Sequence, residues 1–241
     1  MNHRPAHDAG PDGPLPVGVD AGRDCMHCPR LAAFRAAARA AEPDWHNAPV
    51  ASFGHYSGRL LVVGLAPGLR GANRTGRPFT GDFAGNLLYE TLIDFGFATG
   101  VYAQRADDGL ALADCLITNA VRCVPPENKP TPLEIRTCRG FLQATLAAMT
   151  NLRAIVALGR IAHDSVARAF GQSPGRLPFG HGREFVLPGV RPHSLVLFDS
   201  YHCSRYNTNT GVLTPQMFRA VFARVAHMLE GGAPLSPAEP R

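Results

Sequence analysis

The sequence predicts an α/β protein, a three-layer αβα sandwich around a central, mostly parallel four-stranded sheet. Three observations carry this. Four short apolar runs, Leu60 to Val63, Leu116 to Val121, Arg153 to Leu158 and Leu195 to Phe198, read as strands buried on both faces. Segments of helical character alternate with them. Polar or glycine-rich turns follow the first, second and fourth runs, so three polar loops converge at the carboxyl edge of the sheet, where open α/β sheets bind ligands.

The elements follow in order. Residues 1 to 22 are rich in Pro, Gly and Asp without apolar periodicity and are expected as a disordered tail. A Cys25-Met26-His27-Cys28 segment leads into an Ala-rich helix, Leu31 to Ala41. Residues 42 to 58 read as a loop carrying the only tryptophan, Trp45. After the first strand comes a long turn dense in Gly, Arg, Thr and Asn. A helix then runs from Phe83 to Phe95, with Asp82 placed as its N-cap and Gly96 ending it. The second strand passes into a Pro-rich loop, Arg122 to Pro130. Thr131, Pro132 and Glu134 then form the cap, first-turn proline and capping-box acid of a helix reaching about Met149. The third strand turns at Gly159 into a helix over 160–170. The fourth is followed by a polar loop, Asp199 to Gly211, and a last helix from Thr214-Pro215 to about Leu229. Residues 23–230 are expected as a single domain, with a second disordered tail over 231–241.

The 241 residues, 45% hydrophobic and 18% charged, supply a sizeable core. No apolar run approaches membrane-spanning length and no signal segment opens the chain, so the expectation is a cytoplasmic protein without membrane contact. A net charge of +5 leans toward a polyanionic partner. Lys129 is the only lysine among 24 basic residues, so arginine abundance is not read as phosphate recognition.

Six cysteines are present, with Cys25 and Cys28 in a C-x-x-C pair and Cys123 and Cys138 bracketing the Pro-rich loop. Intracellular thiols so spaced favour a metal site over disulfides, and spacing leaves zinc and an iron–sulfur cluster both open. Cys115, beside its strand, reads as a small core residue.

Three segments, GLAPGLRGANRTGRPFTGD (Gly64 to Asp82), AVRCVPPENKPTP (Ala120 to Pro132) and SYHCSRYNTNTG (Ser200 to Gly211), resemble the family 5 uracil-DNA glycosylases, iron–sulfur members of their superfamily. The resemblance runs in order from Cys25 to the last helix. It implies the same αβα fold, a [4Fe–4S] cluster on Cys25, Cys28, Cys123 and Cys138, and DNA containing uracil or other deaminated bases as substrate, handled by a monomer. Such an enzyme flips its base out of the stack and cleaves the N-glycosidic bond. The sugar gains oxocarbenium character while the base leaves as an anion, so the site needs a carboxylate, a water and donors.

The resemblance assigns Asp82 and Asn128 to the water and the sugar, and His202 to a donor for the leaving base. Asp82 also has the ordinary reading of a helix cap. Leu65 and Ala66 stand where related families carry an acid, a departure shared with family 5. Phe79 is placed by the resemblance to stack on the base, and Gly64, Ala66, Pro67 and Gly68 to line the pocket. Asn119 ends the second strand, where its amide is placed to read the uracil edge; many family 5 members carry a small residue there, and the asparagine resembles related families instead. Arg74, Arg77, Arg205, Asn207 and Asn209 are candidate DNA contacts, the last three on a loop expected to enter the groove; a solvated surface explains them equally well. The loop before His202 lacks the basic run of a branch that links covalently to its product, so no adduct is expected. A catalytically silent damage-binding protein and a zinc-stapled phosphate-binding protein are the competing readings.

Overall fold

The computed structural model describes residues 18–188 and 194–232. Within them the first elements are α1 (Pro29–Ala41), β1 (Phe53–Gly54), β2 (Leu60–Gly64), α2 (Ala72–Thr75) and α3 (Phe83–Asp94). A small hairpin of β3 (Ala98–Thr99) and β4 (Ala111–Leu112) precedes β5 (Cys115–Asn119), α4 (Pro132–Ala148), β6 (Ala154–Leu158) and α5 (Arg160–Ala169). The chain closes through β7 (Glu184–Leu187), β8 (Leu195–Ser200), α6 (Arg205–Asn209) and α7 (Pro215–Leu229).

The sheet has the order β1-β5-β2-β6-β8-β7. Its four inner strands are those expected from the apolar runs, and all pair in parallel, with Leu60 opposite both Cys115 and Ala154. The expected four-stranded sheet is thus corrected to six strands, because β1 and β7 add antiparallel edges. Two-residue β1 is too short for periodicity to register, and β7 leaves Val186 57% exposed, as edge strands do.

Alternation along the inner strands builds two cores. Leu60, Val62, Ile117, Val156 and Phe198 face α3 and α7, where Leu88, Leu92, Phe218 and Phe222 are fully buried. Leu61, Val63, Leu116, Ile155 and Leu197 face α4 and α5, against Leu142, Leu146, Ala162 and Val166. Each such leucine contributes roughly 1.5–3 kcal/mol by leaving water. The helix starts are also those expected. Thr131 and Glu134 form both halves of a capping box, and the Thr214 hydroxyl accepts from Met217 N–H.

Residues 18–22, expected in the tail, pack on the domain instead. Val19 is buried in the second core, and Asp20 accepts from Tyr56 Oη at 3.0 Å and Ser52 Oγ at 3.2 Å. Asp20 also pairs with the buried Arg122 at 3.1 Å, which explains why a polar segment holds its place. The remaining expected tail residues, 1–17 and 233–241, lie outside the described residues. Among those described, no helix is long and apolar enough to cross a membrane.

Candidate active site

Parallel strands all point their carboxyl ends the same way, so the loops after β2, β5 and β8 meet. They enclose a cavity of about 340 Å³ lined by Leu65, Ala66, Pro67 and Gly68 from the first loop, Asn119 and Asn128 from the second, and His202, Ser204 and Arg205 from the third. Ala72, Phe79, Asp82, Phe83 and Ala84 complete the wall. Asp82, Asn128, His202, Phe79 and Asn119 are therefore brought together, as are Ala66, Pro67 and Gly68. The volume suits a ligand the size of a base.

Asp82 caps α3, its Oδ1 accepting from Gly85 N–H at 3.3 Å, so the capping and pocket roles coexist. A side chain at Gly71 would overlap its carboxylate, and the glycine lets the turn close over it. Burial pushes the Asp82 carboxyl up from 3.8, against the pull of the Gly85 and Ala84 N–H groups. In the same lining, His202 stacks on Phe79 with ring centroids 5.9 Å apart. Burial alone holds its imidazole down to about 4, so it is neutral at physiological pH.

Phe79 occupies the left-handed region at φ 53°, which an aromatic residue adopts only when its surroundings enforce it. Tyr102 Oη donates to its carbonyl at 2.9 Å and Tyr89 Oη to that of Pro78 at 2.6 Å. Any side chain at Gly64 would overlap the Phe79 ring and Asn119 Oδ1, so Gly64 backs the pocket rather than lining it. The Asn119 side-chain amide makes no hydrogen bond among the described residues, whereas its carbonyl accepts from Arg122 Nη1 at 2.5 Å. Asn128 also stands at positive φ, which asparagine tolerates.

One expected DNA contact is corrected. Arg77 is buried, forks onto Asp108 through two 2.8 Å bonds and donates to Thr80 Oγ1 at 2.7 Å. Its guanidinium lies against Phe53, Tyr89 and Tyr102. It braces the Phe79 turn and has no reach to solvent. Asn207 gives its amide to the His202 carbonyl at 2.8 Å and thereby fastens α6 to the pocket. Arg74 and Asn209 are exposed, and Arg205 lies over the Phe83 ring at 5.3 Å on the pocket rim. The expected irregular loop after β8 is in part α6, capped by Ser204. Tyr89, Tyr102 and Asp108, which hold this architecture, were invisible in sequence because their partners lie 11 to 31 residues away.

Cys25, Cys28, Cys123 and Cys138 line one small cavity with Arg35 and Arg122, so the structure brings the four thiols together. Arg35 Nη1 donates to Cys123 Sγ and Arg122 N–H to Cys138 Sγ, each at 3.2 Å. Among the described residues no three His, Cys, Asp or Glu side chains are gathered tightly enough for a single metal ion. Cys115 is wholly buried in the first core, as expected, and so is Cys203.

Sequence comparison agrees with this geometry. The profile of the uracil DNA glycosylase superfamily matches residues 51–226. A type-5 uracil-DNA glycosylase of Thermus thermophilus is 45% identical over 82% of this chain and 90% of its own. Relatives of the same description from Pyrobaculum aerophilum and Mycobacterium tuberculosis are 37% and 42% identical, over 84% and 86% of this chain and 88% and 78% of theirs. Type-4 uracil-DNA glycosylases match over shorter stretches, such as 50% of this chain for that of Archaeoglobus fulgidus. The chain therefore belongs to the uracil DNA glycosylase superfamily, beside its type-5 members.

Proposed function

We propose that this protein excises uracil, and other deaminated bases such as hypoxanthine, from DNA by hydrolysing the N-glycosidic bond of a flipped nucleotide. The observation that carries this is the convergence of Asp82, Asn128, Asn119, Phe79 and His202 on one base-sized cavity in a chain of this family. Asp82 faces the sugar, where its carboxylate stabilises the developing cation and, with Asn128, orients a water. The neutral His202 donates to the base as negative charge builds on O2. The Asn119 amide, which makes no hydrogen bond among the described residues, pairs with the O4 and N3 edge, and Phe79 supplies the apolar face. The loop containing α6 enters the groove beside the vacated position, with Arg205 and Arg74 on phosphates. The leaving base needs no covalent enzyme link, and no basic loop precedes His202 to form one.

The four-cysteine cavity is suited to a [4Fe–4S] cluster. Burial raises the Cys123 and Cys138 thiols, and the Arg35 and Arg122 donors to their sulfurs offset part of that and would support thiolates on a bound cluster. Cys25, Cys28, Cys123 and Cys138 would hold it, and it would tie the segment before α1 to the start of α4.

The test is excision from two matched duplexes, one with uracil opposite guanine and one with hypoxanthine, abasic sites being revealed by hot alkali. Cleavage of both is expected. Cleavage of uracil alone would restrict the proposal and point to Asn119 as the discriminating group. Binding of the uracil duplex without cleavage of either, by iron-replete protein, would replace it with the damage-binding reading.

A further inference from the structure

A second cavity, of about 360 Å³, opens between α4 and α5 on the opposite side of α4 from the cysteines' neighbours on α1. Arg136 and Arg139 enter it from α4, and Ser165 and Arg168 from α5, over a floor that includes Ile161. Arg136, Arg139 and Arg168 form no salt bridge among the described residues. Asp164 is the one carboxylate on the wall, so cationic charge exceeds it. Two buried polar atoms here have no hydrogen-bond partner among the described residues, Arg139 Nε and Ser165 Oγ, and Ser165 is only 1% exposed. Buried donors are left unpaired rarely, because the cost of stripping them of water is then not repaid. Burial, with Arg168 and Arg136 nearby, holds the Arg139 guanidinium below its ordinary range, the sign of cations gathered without their counter-ion.

We propose that this cavity is a phosphate-binding site and that it takes a backbone phosphate of the DNA, outside the nucleotide held in the base pocket. Guanidinium forks and a hydroxyl match a tetrahedral oxyanion, and both orphaned donors would be satisfied by it. The location favours DNA as the source. Helix α4 starts four residues after Asn128 of the base pocket, and a methyl added at Gly159, which precedes α5, would stand 3.6 Å from His202 Cβ. Both helices thus begin at the rim of the base pocket. This choice of source rests on the proposed glycosylase function; the phosphate chemistry does not.

Two measurements on the full chain test it, using wild type, R139Q and S165A. S165A removes only a hydroxyl from a helix and keeps the test valid should R139Q fold poorly. First, inorganic phosphate is titrated against thermal unfolding at constant ionic strength. Wild type is expected to gain stability at phosphate concentrations roughly tenfold below those needed by R139Q, with S165A between them. Second, binding of a uracil-free duplex is followed against salt. The slope of log affinity on log salt is expected to shrink by about 0.9 in R139Q, the loss of one phosphate contact. Equal phosphate response in all three proteins with an unchanged slope overturns the proposal. A phosphate response lost in the variants with an unchanged slope supports the site but rejects DNA in favour of a free phosphate. Uracil excision by the same wild-type preparation reports separately on the glycosylase reading.

Discussion

Two histidines flank the end of β8 and meet opposite fates. His202, in the loop just beyond the strand, faces the base pocket with Phe79 beside it, and burial drives its imidazole down to about 4. His163, on α5, is wholly buried, yet its ring is held above 6.5. Burial pushes it down too, but Asp199 Oδ1 at 2.6 Å and the Leu177 carbonyl at 2.6 Å outweigh that. The same burial pushes the Asp199 carboxyl up, against His163 and the Gly180 N–H, so the pair shares a firmly held proton. Acceptors decide the outcome, not depth. One ring is left neutral, as the proposed donor to a leaving base must be; the other is an anchor that ties α5, the 177–180 segment and the strand end together.

The comparison breaks most visibly at the anchor. H163L leaves Asp199 buried without its partner and should cost about 3–5 kcal/mol, read as a lowered urea midpoint with unchanged slope. At the pocket, H202A should unfold like wild type but excise uracil about 10²–10³-fold more slowly in single turnover, the usual consequence of losing a donor to a developing anion. The smallest effect is one of pH, and its signs differ. The raised His163 contributes stability that is full below 6.5 and fades as pH rises through its folded value. The depressed His202 acts the other way: between 6.5 and about 4 the unfolded chain binds the proton that the folded chain refuses, so stability falls as pH drops. Urea midpoints across this range should therefore lose part of the acid slope in H202A and part of the alkaline slope in H163L.

Much of this was legible in the chain. The four inner strands were apolar runs long enough to be buried on both faces, and Asp82, Thr131 and Thr214 announced their helices through local chemistry that needs no distant partner. Asp82, Asn128 and His202 followed from motifs at three strand ends, which a parallel sheet must bring together. What sequence obscured was long-range pairing. Arg77, beside a glycine in a polar turn, looks like any surface arginine until Asp108 and three aromatic rings close around it. The edge strands β1 and β7 escaped because one is too short and the other too exposed to carry a periodic signal. The His163–Asp199 pair escaped for the same reason as Arg77: 36 residues separate its members.

Asp82 bears most directly on the central claim, that the pocket cleaves a glycosidic bond with a carboxylate and a neutral imidazole in one lining. The measurement is single-turnover excision of a duplex carrying one uracil, by wild type and D82N, with binding of the same duplex measured alongside. The account expects D82N, which keeps a capping oxygen for α3, to bind with little change and to cleave about 10²–10⁴-fold more slowly. Cleavage by D82N at the wild-type rate would contradict it.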